Sequence, residues 1–186
     1  MMDHFDLLAR CYDRLVGSSE PARLRDMLKL PTDGCMLDAG GGTGRASSQL
    51  SHLVGSLVIS DLSRPMLRQA KAKGERFAVQ AHTELLPFSD GMFDRILVVD
   101  ALHHFCDQRV ALMDLLRVLK PGGRLLIEEP DINRFGVKLA ALAEKLALMR
   151  SHFLAPSEIR DIIAAQGLSA AIENDGRFAA WVVVDK

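Results

Sequence analysis

The feature that most restricts the fold is a glycine cluster set directly behind a short apolar run, Met36-Leu37-Asp38-Ala39-Gly40-Gly41-Gly42-Thr43-Gly44-Arg45. Glycine reaches positive φ at little cost and lets another molecule approach the backbone closely. A strand that ends in such a turn and feeds a helix leaves the first N–H groups of that helix facing outward, where they favour a carboxylate or another anionic group. In open α/β sheets this place, at the carboxyl end of the first strand, is where ligands bind. The dinucleotide pattern G-x-G-x-x-G fails in every register: Gly40-Gly42 leads to Arg45, Gly42-Gly44 leads to Ser47, and Gly41 is followed two residues later by Thr43. What stands instead is Asp38-x-Gly40-x-Gly42-x-Gly44.

The surrounding chain alternates between helical and extended periods. Phe5, Leu8, Ala9, Tyr12, Leu15 and Val16 recur at helical spacing over 3–16, and Pro21 suits the first turn of a second helix over 21–30. Strands are expected at 35–39, 57–60, 77–79, 93–99 and 124–127. Helices are expected at 46–54, 63–72 with Ser63 as cap, and 109–119, the last stopped by Pro121-Gly122-Gly123. Helices near 135–149 and 157–166 then precede two extended segments, 168–173 and 178–184. Asn174-Asp175-Gly176 between them is a hairpin signal, because Asp-Gly tolerates positive φ. The alternation predicts a mainly parallel sheet covered by helices on both faces, finished by two strands antiparallel to each other.

A length of 186 residues suits a single domain over 1–186, with 1–30 as an N-terminal helical lid. The 23 basic and 24 acidic residues leave a net charge of -1, so no broad field attracts nucleic acid. Cys11, Cys35 and Cys106 form no CxxC pair, which argues against a disulfide framework or a zinc site and favours a reducing cytoplasm. Asp3, His4 and Asp6 break the charge order of a signal peptide. No apolar run reaches the roughly 18 to 20 residues that span a bilayer. A soluble, cytoplasmic protein is expected.

The second strand ends in Asp61, placed to accept hydrogen bonds from both hydroxyls of a ribose. Further segments follow in a fixed order: Ala9-Arg10-Cys11-Tyr12-Asp13, the Asp38–Gly44 loop and Ser60-Asp61-Leu62-Ser63. Next come Glu84-Leu85-Leu86-Pro87-Phe88-Ser89-Asp90-Gly91-Met92-Phe93-Asp94, Ala101-Leu102-His103-His104-Phe105 and Leu116-Arg117-Val118-Leu119-Lys120-Pro121-Gly122-Gly123. In these motifs the chain resembles the class I S-adenosylmethionine-dependent methyltransferases, and within them the broad group of the ubiquinone/menaquinone C-methyltransferases. The resemblance implies a Rossmann-like seven-stranded sheet of order 3-2-1-4-5-7-6 with strand 7 antiparallel. It implies S-adenosyl-L-methionine as cofactor and S-adenosyl-L-homocysteine as product. Gly40 and Gly42 would lie by the methionine portion, Asp61 at the ribose, and Leu62 and Met66 near adenine, with Asp38 also among the cofactor-binding residues. Tyr12 would close the amino-acid end of the site or anchor its own helix. Relatives often carry Gly-Asp-Ala before the Leu-Pro-Phe segment, where this chain has Ala81-His82-Thr83, so His82, Thr83 or Glu84 would meet the adenine.

Methyl transfer needs an in-line nucleophile, and a base where that nucleophile starts protonated. The segment leaving the fourth strand supplies Asp100, facing the cofactor, and His103 and His104 as candidate catalytic bases; a hydrogen-bonded support role competes for both histidines. Adjacent histidines without further ligands make a poor metal site, and none is expected. Glu128-Glu129-Pro130-Asp131 forms another polar wall, in which at least one carboxylate is expected to face solvent. Phe135, Leu139, Leu142, Leu146, Met149 and Phe153 form an apolar helical stripe suited to the core, or to a substrate wall, a membrane surface or a dimer seam. The expected function is methyl transfer to a small, hydrophobic acceptor rather than to nucleic acid, with a non-catalytic cofactor-binding regulatory or assembly protein as the alternative and a homodimer as an open option.

Overall fold

Continuous apolar runs along the central strands put apolar side chains on both faces of one sheet and so place a core on each side. In the computed structural model, which describes residues 20–134, 137–138, 152–175 and 178–186, helix α1 (Pro21–Met27) precedes strands β1 (Thr32–Ala39) and β2 (Val54–Asp61). Helix α2 (Arg64–Ala72), β3 (Phe77–Gln80), β4 (Phe93–Val99), α3 (Gln108–Val118) and β5 (Leu119–Pro130) follow. The described chain ends with α4 (Pro156–Ala164), β6 (Ala170–Asn174) and β7 (Ala179–Asp185). Leu97, Val99, Leu126 and Trp181 point to one face, where Leu24, Met27 and Leu28 of the α1 region and Leu67 and Ala70 of α2 cover them. Ile96, Val98, Leu125 and Ile127 point to the other, beneath Leu112 and Leu115 of α3 and Ile159 and Ile163 of α4. The period of two along each strand produces this division.

The seven strands run in the order β3-β2-β1-β4-β5-β7-β6. β1 through β5 pair in parallel, and β7 is antiparallel to both β5 and β6. This is the expected fold class. Strand order reverses between β1 and β4, and the carboxyl ends of those strands open the crevice in which such sheets bind ligands.

Two local expectations change. The helix expected over 46–54 is a 3-10 turn, Ser48–Leu53, in which the Ser51 hydroxyl donates to the Ser48 carbonyl at 2.8 Å. Serine side chains that bond the nearby backbone compete with a regular helix. β5 begins at Leu119, before Pro121-Gly122-Gly123 rather than after it. The proline-glycine stretch still interrupts pairing: Leu119 faces Phe93, the next partners are Arg124 and Arg95, and the residues between bulge from the ladder. The helix expected over 3–16, that over 135–149 apart from residues 137–138, and Gly176 of the hairpin turn lie outside the described residues. Of the 1–30 segment, Leu24 and Leu28 are fully buried, and the Arg23 guanidinium lies 3.6 Å from the centre of the Trp181 ring. Among the described residues no helix is long and apolar enough to cross a membrane.

Ser63 caps α2 as its sequence position suggests, its hydroxyl accepting from the Met66 N–H at 3.3 Å. Replacing Ser63 with Ala should lower the unfolding free energy by about 1 kcal/mol in a denaturant titration. An unchanged midpoint would show that the cap contributes nothing.

Candidate active site

The glycine loop is folded back by backbone hydrogen bonds. The N–H groups of Gly40 and Gly41 both donate to the Ser60 carbonyl at the end of β2, at 2.8 and 3.1 Å. Gly40 has φ +69°, and a Cβ there would come within 2.6 Å of the Ala101 side chain and 3.0 Å of the Phe105 ring. No other residue fits that position. Gly42 has φ +56° but is not crowded: a Cβ there would make only ordinary van der Waals contacts, with Asp61 Oδ2 at 3.8 Å and Met66 Sδ at 4.0 Å. Crowding from the β4 loop thus demands glycine at position 40, and backbone direction demands it at 42.

Asp61 is held at the rim of this cradle. Gly42 N–H donates to its Oδ2 at 2.8 Å and Ser63 N–H donates to its Oδ1 at 2.7 Å, so both oxygens are aimed by backbone. Leu62 beside it is 47% exposed, whereas Met66 is buried below the loop. The turn carrying His82, Thr83 and Glu84 follows β3, which pairs with the end of β2. His82 is exposed, Thr83 is buried, and Glu84 accepts the Asp107 N–H at 3.1 Å, so this turn also touches the loop after β4. Tyr12 lies outside the described residues.

Asp38 forms the floor. It is 2% exposed, and its Oδ2 has no hydrogen-bond partner among the described residues. Burial, with the Asp61 charge adding to it, pushes its carboxyl up to about 7; the Ser47 hydroxyl, close by but outside hydrogen-bonding geometry, and Arg45 offset only part of this. A buried carboxylate in this state is poised to meet a polar or cationic group of a ligand.

The opposite wall comes from the end of β4. Asp100 has φ +50°, a conformation that a non-glycine residue holds only when its surroundings fix it. Its N–H donates to the Glu128 carbonyl, and its carboxylate meets Arg45 at 3.0 Å, a bridge across the crevice from the glycine loop. Burial and the neighbouring Glu129 raise the Asp100 carboxyl above its ordinary range despite Arg45. Glu128 is raised in the same direction by burial, against the Trp181 indole N–H that donates to it at 2.9 Å.

The two histidines occupy different settings. His103 is 5% exposed, its Nδ1 2.5 Å from Glu129 Oε2 and its ring stacked on Phe153 with centroids 4.3 Å apart. His104 is half-buried, and burial, with the His103 charge adding to it, lowers its pKa to about 3. At neutral pH it is an uncharged ring. None of the Glu128, Glu129 and Asp131 carboxylates is a solvent-facing surface group: Glu129 and Asp131 are buried and Glu128 is half-buried against Trp181. The expectation of a solvated carboxylate fails because β5 is covered on both faces. Arg45 and Phe105 were not among the expected site residues, and Glu129 was expected only as one of the carboxylates of a polar wall. The parity of β5 was the available signal for Glu129, which shares a face with the core residues Leu125 and Ile127.

If Asp38 titrates as its burial dictates, the folded chain holds its proton more tightly than the unfolded chain. Stability in the cofactor-free protein then falls as pH rises from about 4 to about 7 and levels above that. Asp38→Asn should therefore gain on the wild type across this window, by about 1 to 4 kcal/mol at about 1.4 kcal/mol per pKa unit. Denaturant titrations of both chains at several pH values measure it; a constant difference would rule out a raised Asp38.

Comparison with known proteins agrees with this geometry. Residues 37–127 match the family described as a methyltransferase domain. A ubiquinone/menaquinone biosynthesis C-methyltransferase, UbiE, from Marinomonas sp. is 41% identical over 105 residues, covering 51% of this chain and 42% of the relative. A Shewanella sp. UbiE is 40% identical over 104 residues, covering 50% and 41%. The chain thus spans less than half the length of these curated relatives. Among solved structures, an S-adenosylmethionine-dependent methyltransferase from Thermotoga maritima superposes with a TM-score of 0.78 at 21% identity, covering 98% of this chain and 97% of that one. One from Aquifex aeolicus gives 0.77 at 18% identity, covering 99% and 98%. By sheet order, by the glycine loop and by the methyltransferase-domain match over 37–127, the chain resembles the class I S-adenosylmethionine-dependent methyltransferases and, within them, the ubiquinone/menaquinone C-methyltransferases.

Proposed function

We propose that this protein transfers the methyl group of S-adenosylmethionine to a small, hydrophobic acceptor. The observation that carries the reading is the charge of the crevice: Asp38, Asp61 and Asp100 surround the glycine loop, with Arg45 paired to Asp100. A dinucleotide would bring an anionic pyrophosphate into this acidic setting, whereas the sulfonium and ammonium groups of S-adenosylmethionine are cations. When bound, the cofactor supplies the electrophilic methyl group. Asp61 would hold the ribose hydroxyls, Asp38 the polar methionine end, and Leu62 the adenine face, with the His82–Glu84 turn beside it.

The acceptor side is assigned to the turn after β4. The uncharged His104 ring can accept a hydrogen bond from an acceptor's acidic proton but holds that proton weakly, since an effective base has a pKa near the working pH. Orientation of the acceptor then supplies most of the rate. The match to ubiquinone/menaquinone C-methyltransferases supports a hydrophobic, quinone-like acceptor and a carbon nucleophile.

Calorimetry should detect S-adenosylmethionine and S-adenosylhomocysteine and no useful affinity for NAD; tight NAD binding without the sulfonium cofactor would reject the assignment. Asp61→Ala should weaken S-adenosylhomocysteine about tenfold or more, through lost ribose bonds and a loosened loop. The acceptor itself is found by screening a metabolite extract with methyl-labelled cofactor. With that acceptor, His104→Gln should keep the shape of the wild-type single-turnover pH profile between about pH 6 and 9. Loss of an inflection near neutrality in the variant would instead make His104 the titrating base.

A further inference from the structure

We propose that Glu129 is the positioning residue of this site, holding the turn after β4 in place from β5; the proposal rests on the methyl-transfer reading of the site. The three consecutive N–H groups that follow β4 are all received by β5, the first by its backbone and the next two by a side chain. Asp100 N–H donates to the Glu128 carbonyl at 3.0 Å, and the N–H groups of Ala101 and Leu102 donate to Glu129 Oε1 at 2.9 and 2.8 Å. The other oxygen of Glu129 takes the His103 Nδ1. Buried backbone N–H groups need such partners, and bonds to a carboxylate are the strong kind. These bonds bracket Asp100, whose positive φ aims its carboxylate at Arg45 across the crevice.

The same turn is a dock for a distant segment. His152 N–H donates to the His103 carbonyl at 2.8 Å, and Phe153 stacks on the His103 ring. The Gln108 side-chain amide donates to the Leu102 carbonyl at 3.0 Å and also to the His152 carbonyl. Glu129 therefore fixes the crevice wall and the seat of residues 152–153 at once. It acts on the reacting groups only through the turn.

The test compares full-length wild type, Glu129→Ala and Glu129→Gln by hydrogen–deuterium exchange and by calorimetry with S-adenosylhomocysteine. Ile163→Val, a core change in α4, serves as the control for lost stability. Exchange in Glu129→Ala should accelerate about tenfold or more over 100–104 and over 152–155, and affinity should fall about tenfold or more. The amide oxygen of Gln can accept both N–H groups, so Glu129→Gln should return both readouts to within about threefold of wild type. The control should move neither. Wild-type exchange and affinity in a folded Glu129→Ala would overturn the proposal, as would a Gln variant as impaired as Ala. Should Glu129→Ala not fold, Glu129→Met, which keeps the bulk without the acceptors, takes its place with the same expected results. The exchange measurements need no cofactor, so failure of wild type to bind S-adenosylhomocysteine would reject methyl transfer while leaving exchange to decide Glu129.

Discussion

Two adjacent amide groups, those of Gly40 and Gly41, converge on one carbonyl, that of Ser60. That convergence turns the chain sharply at the end of β1 and ties it to the end of β2. Because β1, β2 and β4 are parallel, their carboxyl ends lie on one side of the sheet, and the turn brings Asp38, Asp61 and Asp100 around one crevice. The chain reverses within van der Waals contact of Ala101 and Phe105, which leaves no room for a side chain at position 40.

Electrostatic cost is concentrated where this geometry gathers carboxylates. Asp38, Asp100 and Glu128 are all pushed toward their neutral forms by burial. Arg45 offsets part of that cost from within the glycine loop, and its guanidinium meets Asp100 on the far wall. Elsewhere in the sheet the carboxylates are compensated: Asp94 receives both the Cys35 N–H and the Lys120 ammonium, and Asp185 pairs with Arg124. The contrast separates a strained crevice from a settled scaffold.

Much of this was legible in the chain because periodicity and turn chemistry act locally. The apolar run at 93–99, the Ser63 cap and the position of the glycine cluster each predicted what the fold contains. Less legible were features set by neighbours distant in sequence. The Glu129 carboxylate becomes an anchor only because β5 lies beside β4, and Arg45 finds Asp100 only across the reversal of strand order. His103 and His104 are adjacent in sequence, yet one is clasped by Glu129 and stacked on Phe153 while the other keeps a partly open ring. Tertiary packing, which composition does not reveal, divides them.

The placement of β7 between β5 and β6 bears on how such a chain is made. β5 is complete at residue 130, but its second neighbour is residues 179–185. During synthesis from the N-terminus, β5 therefore presents a bare row of amides and carbonyls along its length while the next fifty or so residues emerge, on the order of several seconds at usual elongation rates. An uncovered apolar edge is a template for pairing with another chain. The antiparallel hairpin of β6 and β7 forms from neighbouring residues and can be ready before it docks, which shortens the exposure.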